Sequence, residues 1–163
     1  MDRWVIYIEG GAWCFTAESC AARAKTQLGS SQQYLKSFPR DQGHGHNPVL
    51  LGGITSGNCT VNPSFCKSNM VFVKYCDGAS FTGSASGVDR HGLHYRGYDI
   101  LQAIMADLKA HHGISTASEV LLTGGSAGGM SVFLHADFIR ESLGLRPAAK
   151  FGAVPLSGFF LGE

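Results

Sequence analysis

Charge is scarce in this sequence: 15% of its 163 residues are Asp, Glu, Lys or Arg, and the net charge is +1. Without a basic stripe there is no electrostatic footprint for nucleic acid or an anionic membrane surface. Long apolar runs are missing too, and no stretch approaches the roughly 20 residues that a bilayer span needs. The opening Met1-Asp2-Arg3 runs directly into WVIYI, which reads as a strand and not as the charged and apolar regions of a secretion signal. No C-x-x-C pair is present, so thioredoxin-type and zinc-knuckle chemistry is not expected. No lysine follows Gly129 to complete a phosphate-binding loop, and Ser126 occupies the place of the second glycine in a dinucleotide fingerprint. The reading therefore calls for no cofactor, and His44-x-His46 lacks the partner set that a metal would require.

What is present is core-forming material. Hydrophobic residues make up 44% of the chain, which suits one domain with a single core. Five cysteines stand at 14, 20, 59, 66 and 76. The short spacings Cys14 to Cys20 and Cys59 to Cys66 suit small disulfide loops in an oxidising compartment, leaving Cys76 over. Buried thiols in a reducing compartment are the alternative.

The periodicity alternates. Strands are predicted at 4–8, 70–75, 119–123 and 150–156 from their aromatic and β-branched content. A modest helix is predicted at 17–27. A second spans about 94–111, where Tyr98, Leu101, Ile104, Met105 and Leu108 recur at helical spacing and Gly113 follows as a stop. A third starts after Ser126, with Met130, Leu134 and Phe138 on one stripe and Gly144 as its stop. Residues 38–69 form a Gly, Asn, Pro and Ser-rich loop too long for a simple connection. Such alternation implies a mostly parallel sheet flanked by helices, whose working groups gather at the carboxyl ends of the strands. Three loops meet there: Glu9 to Trp13, Asp77 to Phe81, and Gly124 to Gly128.

The third of these loops, Gly124-Gly125-Ser126-Ala127-Gly128, fits G-x-S-x-G between a strand and a helix, the context of a nucleophile elbow. The serine must take a strained backbone conformation for its oxygen to project. Positions two before and two after it must lack side chains where strand and helix pass close. The new helix aims its first N–H groups at the same spot, so the Ala127 N–H becomes a donor to developing negative charge. A serine hydroxyl needs further donors and a base. EGGAW, at the end of the first strand, offers the N–H groups of Gly11 and Ala12. Trp13, Phe15, Asp77 and Phe81 are candidates to line a substrate pocket.

The base is missing from the pattern. In an elbow enzyme the order is Ser, Asp or Glu, then His. The histidine that follows Ser126, His135, lies nine residues on and inside the helix that the serine starts. His44, His46, His91, His94, His111 and His112 all precede the serine, and Asp137 and Glu141 share the helix of His135. The expectation is a partial domain, incomplete at both ends, from a unit of more than about 250 residues.

In WVIYIEGGAWC, GSS (29–31), NPSFCKSNMVFVKYCDGASFTG, YRGYDI, LLTGGSAGGMSVFLHADFIR and SGFFL, in that order, the chain resembles the pectin acetylesterase and Notum carboxylesterase family. The resemblance implies an α/β-hydrolase fold, incomplete at both ends, and a Ser-Asp-His triad whose Asp and His have no counterpart here. It implies ester hydrolysis through an acyl-enzyme, with Ser126 as nucleophile and Gly11, Ala12 and Ala127 in the oxyanion hole. It also implies a Cys14–Cys20 disulfide, whereas Cys66 stands where the family often has an aromatic residue, so a Cys59–Cys66 bond would be a local addition. Leu156 departs from a family aspartate. The implied substrate is an acetylated polysaccharide such as pectin, and the implied location of the whole protein is secreted or in the cell wall. A Notum-like deacylase acting on a fatty-acyl ester is one alternative; a non-catalytic glycan-binding or interaction homologue lacking the base is another.

Overall fold

A computed structural model describes residues 2–33 and 52–161. His44, His46 and the first part of the long loop lie outside the described residues. Four strands, β1 (Arg3–Ile8), β2 (Asn69–Val73), β3 (Glu119–Gly125) and β4 (Lys150–Leu156), form one sheet in the order β2-β1-β3-β4. Every pairing is parallel, with Ile8 opposite Val73 on one side and Gly124 on the other. Among the described residues the α-helices are α1 (Ala17–Arg23), α2 (Gly97–His111) and α3 (Ala127–Ser142). The chain has the all-parallel α/β architecture that the periodicity predicts.

The sheet is built on its most apolar segment. β1 is central, and Val5, Ile6 and Ile8 have no exposed surface. Burial of each such side chain stabilises the fold by roughly 1.5–3 kcal/mol. Ile6, Ile8, Val73, Val120 and Leu122 share one sheet face with Leu101, Met105 and Leu108 of α2 and with Val132 and Ile139 of α3. Both helices therefore cover the same face.

The order β2-β1-β3-β4 places the chain leaving β1 on one side and the chain leaving β3 on the other. A crevice opens between the carboxyl ends of those two adjacent strands, the place where open parallel sheets bind ligands. The Gly11–Ala12 corner follows β1 and Ser126 follows β3, so the topology alone brings them to the two lips of one crevice.

Three boundaries differ from the sequence pattern for identifiable reasons. Helix α1 ends at Arg23, not residue 27, because the Thr26 hydroxyl and N–H both donate to the Arg23 carbonyl, at 2.7 and 2.9 Å. Strand β2 stops at Val73 because the Tyr75 N–H turns to the Glu9 carboxylate, at 3.0 Å. Helix α2 starts at Gly97, where a Cβ would lie 2.3 Å from an Asp77 oxygen, and His94 instead bridges to Val88. Gly113 and Gly144 both take left-handed conformations just past their helices, at φ 72° and 59°.

In α3 the difference lies in the buried side. The buried residues of α3 are Ala127, Gly128, Gly129, Ser131, Val132, His135 and Ile139, while Leu134 is 55% exposed. Small residues mark the buried side because here the helix backbone itself meets the sheet. A Cβ on Gly129 would fall 2.8 Å from both the Gly158 Cα and the Leu156 carbonyl oxygen. The Met130–Leu134 stripe is left to face elsewhere.

Candidate active site

Ser126 sits between β3 and α3 at φ 54°, ψ −120°, a conformation that costs a non-glycine residue on the order of 1–3 kcal/mol. Crowding around it leaves the backbone little choice. A Cβ on Gly124 would lie 2.6 Å from the Gly128 carbonyl oxygen, and one on Gly128 would lie 2.2 Å from the Ile8 carbonyl oxygen. Neither contact can relax, because backbone meets backbone. The Ser126 N–H donates to the Leu156 carbonyl at 2.9 Å, so that donor is already committed. The Ala127 N–H opens α3 and, like other first-turn amides, has no intrahelical acceptor. Ser126 itself is exposed.

Gly10 brings the β1 tail against this corner. A Cβ there would lie 2.3 Å from the Gly125 carbonyl oxygen and 3.1 Å from the Ser126 Cβ. Gly11 and Ala12 follow with φ 144° and 55°. Among the described residues neither of their N–H groups donates to a backbone acceptor. Their carbonyls are both engaged. Arg23 Nη1 donates to the Gly11 oxygen at 2.6 Å, and the Tyr75 hydroxyl donates to the Ala12 oxygen at 2.8 Å. Arg23 also stacks on the Tyr75 ring, its Cζ 4.9 Å from the centroid. Cys14 and Cys20 are disulfide-bonded and tie the corner to α1; Cys59 and Cys66 are bonded to each other, and Cys76 carries no disulfide.

The turn after β2 locks the two corners together. Asp77 accepts the N–H groups of Ala79 and Phe81, at 3.1 and 2.9 Å, and so shapes a turn in which Ser80 and Phe81 have positive φ. The Ser80 hydroxyl accepts from Trp13 Nε1 at 2.7 Å and donates to the Ala127 carbonyl at 2.9 Å. Burial pushes the Asp77 carboxyl above its ordinary pKa, opposed by the Phe81 and Ala79 N–H groups and by the Arg23 charge.

The four pocket candidates separate. Trp13 and Phe15 line an apolar cavity of about 350 Å³ with Ser80, Met130, Leu134 and Phe160. Phe160 meets Trp13 edge-on at 4.7 Å. Met130 and Leu134 thus belong to a cavity wall one and two turns beyond Ser126. Phe81 does not line it: the ring is fully buried, 5.8 Å from Tyr75, and belongs to the core. Its place in the sequence, next to the turn, gave no sign of which way it points. Asp77 faces a second cavity, of about 370 Å³, with Arg23, Cys76, His94 and Tyr95.

No described histidine reaches Ser126. His135 is buried with its Nε2 3.0 Å from the Ser80 carbonyl oxygen, while His111 and His112 pair with Asp107 at 2.9 and 3.2 Å. His91 lies beside Glu18, and His94 faces the second cavity. Among the described residues no three of His, Cys, Asp and Glu gather as metal ligands.

Against this geometry, the family described as Pectinacetylesterase matches residues 1–163. The chain belongs to that family. Among its curated relatives, pectin acetylesterase 5 of Arabidopsis thaliana is 38% identical over 160 residues, covering 97% of this chain and 34% of the relative. Pectin acetylesterase 4 of the same plant is 40% identical over 144 residues, 87% of this chain and 32% of the relative. The human palmitoleoyl-protein carboxylesterase NOTUM is 33% identical over 163 residues, 98% of this chain and 30% of the relative. The chain spans about a third of the length of these relatives. In this member of the pectinacetylesterase family, sequence reasoning missed Arg23, Tyr75 and Ser80, which brace the two corners. Arg23 reads only as one more helix former, and Tyr75 as the last residue of a strand. Among the described residues no helix is long and apolar enough to cross a membrane.

Proposed function

We propose that the intact protein is a serine carboxylic-ester hydrolase that removes acetyl groups from a polysaccharide of the pectin type, with Ser126 as its nucleophile. The observation that carries this reading is the exposed Ser126 at φ 54°, raised where the Gly10–Ala12 corner and the first amide of α3 converge. Attack of the Ser126 oxygen on the acyl carbon places negative charge on the carbonyl oxygen. The N–H groups of Ala127, Ala12 and Gly11 stabilise it, each lost donor costing about 2.7–4 kcal/mol of transition-state stabilisation. The alcohol leaves carrying the proton that the Ser126 hydroxyl gave up to the base, and water then releases the acid from the acyl-serine. His135 is held by the Ser80 carbonyl, so the proton acceptor is supplied from outside the described residues. The family membership and the relatives' names support the ester; two disulfides support a secreted, extracellular protein.

The apolar cavity favours a second reading on one point, the acyl group. A wall of Trp13, Phe15, Met130, Leu134 and Phe160 suits a fatty-acyl chain better than an acetyl group. Labelling the intact protein with a fluorophosphonate tests the nucleophile: modification of Ser126, abolished by Ser126→Ala, is expected. An unlabelled protein that still binds acetylated glycan would instead be a non-catalytic homologue. Comparing acetyl with octanoyl and palmitoleoyl esters decides between the two acyl groups.

A further inference from the structure

We propose that Arg23 is a positioning residue that aims the Ala12 N–H at Ser126. The inference rests on the reading of Ser126 as nucleophile and adds to it the device that forms its oxyanion hole. Among the described residues no peptide bond is cis, so the Gly11 carbonyl and the Ala12 N–H point in opposite directions from one rigid plane. Arg23 Nη1 holds that carbonyl at 2.6 Å, which fixes the direction of the N–H. The next carbonyl, of Ala12, is drawn back by the Tyr75 hydroxyl at 2.8 Å, and the Arg23 guanidinium stacks on that same tyrosine.

The clamp is needed because the corner is strained. Ala12 at φ 55° gains nothing locally from that conformation, and a rotated Gly11–Ala12 peptide would present a carbonyl oxygen to the site in place of a donor. Its construction also argues for positioning over simple stabilisation. Among the described residues Arg23 Nε and Nη2 are buried without a hydrogen-bond partner, and the Asp77 charge reaches the guanidinium only through space, with no direct ion pair between them. Its hydrogen bond goes to the one carbonyl whose orientation governs the donor. The Cys14–Cys20 bond keeps α1, and with it Arg23, in register with the corner.

The test compares Arg23→Gln, Arg23→Lys and Ser126→Ala with the parent in the intact protein. Steady-state kinetics use an acetyl ester, and inhibition uses an alkyl boronic acid, whose tetrahedral serine adduct mimics the oxyanion. Arg23→Gln is expected to lower kcat about 100-fold with KM within twofold, to weaken boronate inhibition in parallel, and to be partly rescued by lysine. A kcat within threefold of the parent overturns the proposal. So does a loss of kcat with boronate affinity unchanged, which marks a merely structural role. If the glutamine variant does not fold, the lysine variant is judged by the same split between kcat and KM. Activity persisting in Ser126→Ala would overturn the nucleophile reading itself, and so fails separately from a silent Arg23.

Discussion

The two corners that meet at the site reach strained backbone conformations by different means. After β3, Ser126 is forced into place by main chain pressing on main chain: Gly124 against Gly128, Gly128 against Ile8, Gly129 against Gly158. After β1, Gly11 and Ala12 are restrained by side chains and a covalent link: Arg23, Tyr75 and the Cys14–Cys20 bond. Strain imposed by packing is inseparable from the fold. Strain imposed by polar tethers can be released while the sheet stays intact. Damage to the first corner should therefore appear as lost stability, and damage to the second as lost chemistry.

The largest effect concerns the residue that both corners serve. Ser126→Ala should lower kcat by at least about 10⁴-fold with no loss of Tm, checked by ester hydrolysis and thermal unfolding. Next comes the packed corner. Gly128→Ala should cost about 3 kcal/mol or more in urea unfolding, since the added methyl meets the Ile8 carbonyl oxygen at 2.2 Å. At the tethered corner, Gly11→Ala meets only the end of the Leu28 side chain, at 2.7 Å, and should cost about 1–3 kcal/mol through its φ of 144°. Equal losses at Gly128 and Gly11 would break the comparison.

The disulfides sharpen it. Replacing Cys14 and Cys20 by serine should cost about 2–3 kcal/mol and also lower kcat, because α1 then no longer holds Arg23 in register. The same change at Cys59 and Cys66, in a loop away from either corner, should lower Tm and leave kcat unchanged.

The smallest effect is on pH dependence. Burial raises the Asp77 pKa above its ordinary value of 3.8, so the folded protein holds that proton more tightly than the unfolded chain does. This contribution to stability is complete below 3.8 and is lost as pH rises through the raised value. Asp77→Asn should remove that slope, read as a difference between the two stability curves in mildly acidic buffers.

Much of this design was legible as letters. The four strands follow from compact β-branched and aromatic runs, and the elbow follows from glycines two before and two after a serine, because close approach of strand and helix admits no other residue there. The remainder depends on what folding brings together. Arg23 lies 12 residues from Gly11, and Tyr75 lies 63 from Ala12; no periodicity marks either pair. Phe81 reads as a pocket residue because it follows a strand, yet the Asp77 turn rotates it into the core. Met130 and Leu134 read as an ordinary apolar helix stripe, but the glycines of α3 give the sheet-facing side to backbone and release that stripe to the cavity wall.

The most direct test is a crystal structure of the intact protein after reaction with a fluorophosphonate. Phosphorus bonded to the Ser126 oxygen, with the phosphonyl oxygen about 2.7–3.1 Å from the amide nitrogens of Ala127 and Ala12, is the predicted result. An adduct on another residue, or a phosphonyl oxygen turned away from both amides, would contradict the account.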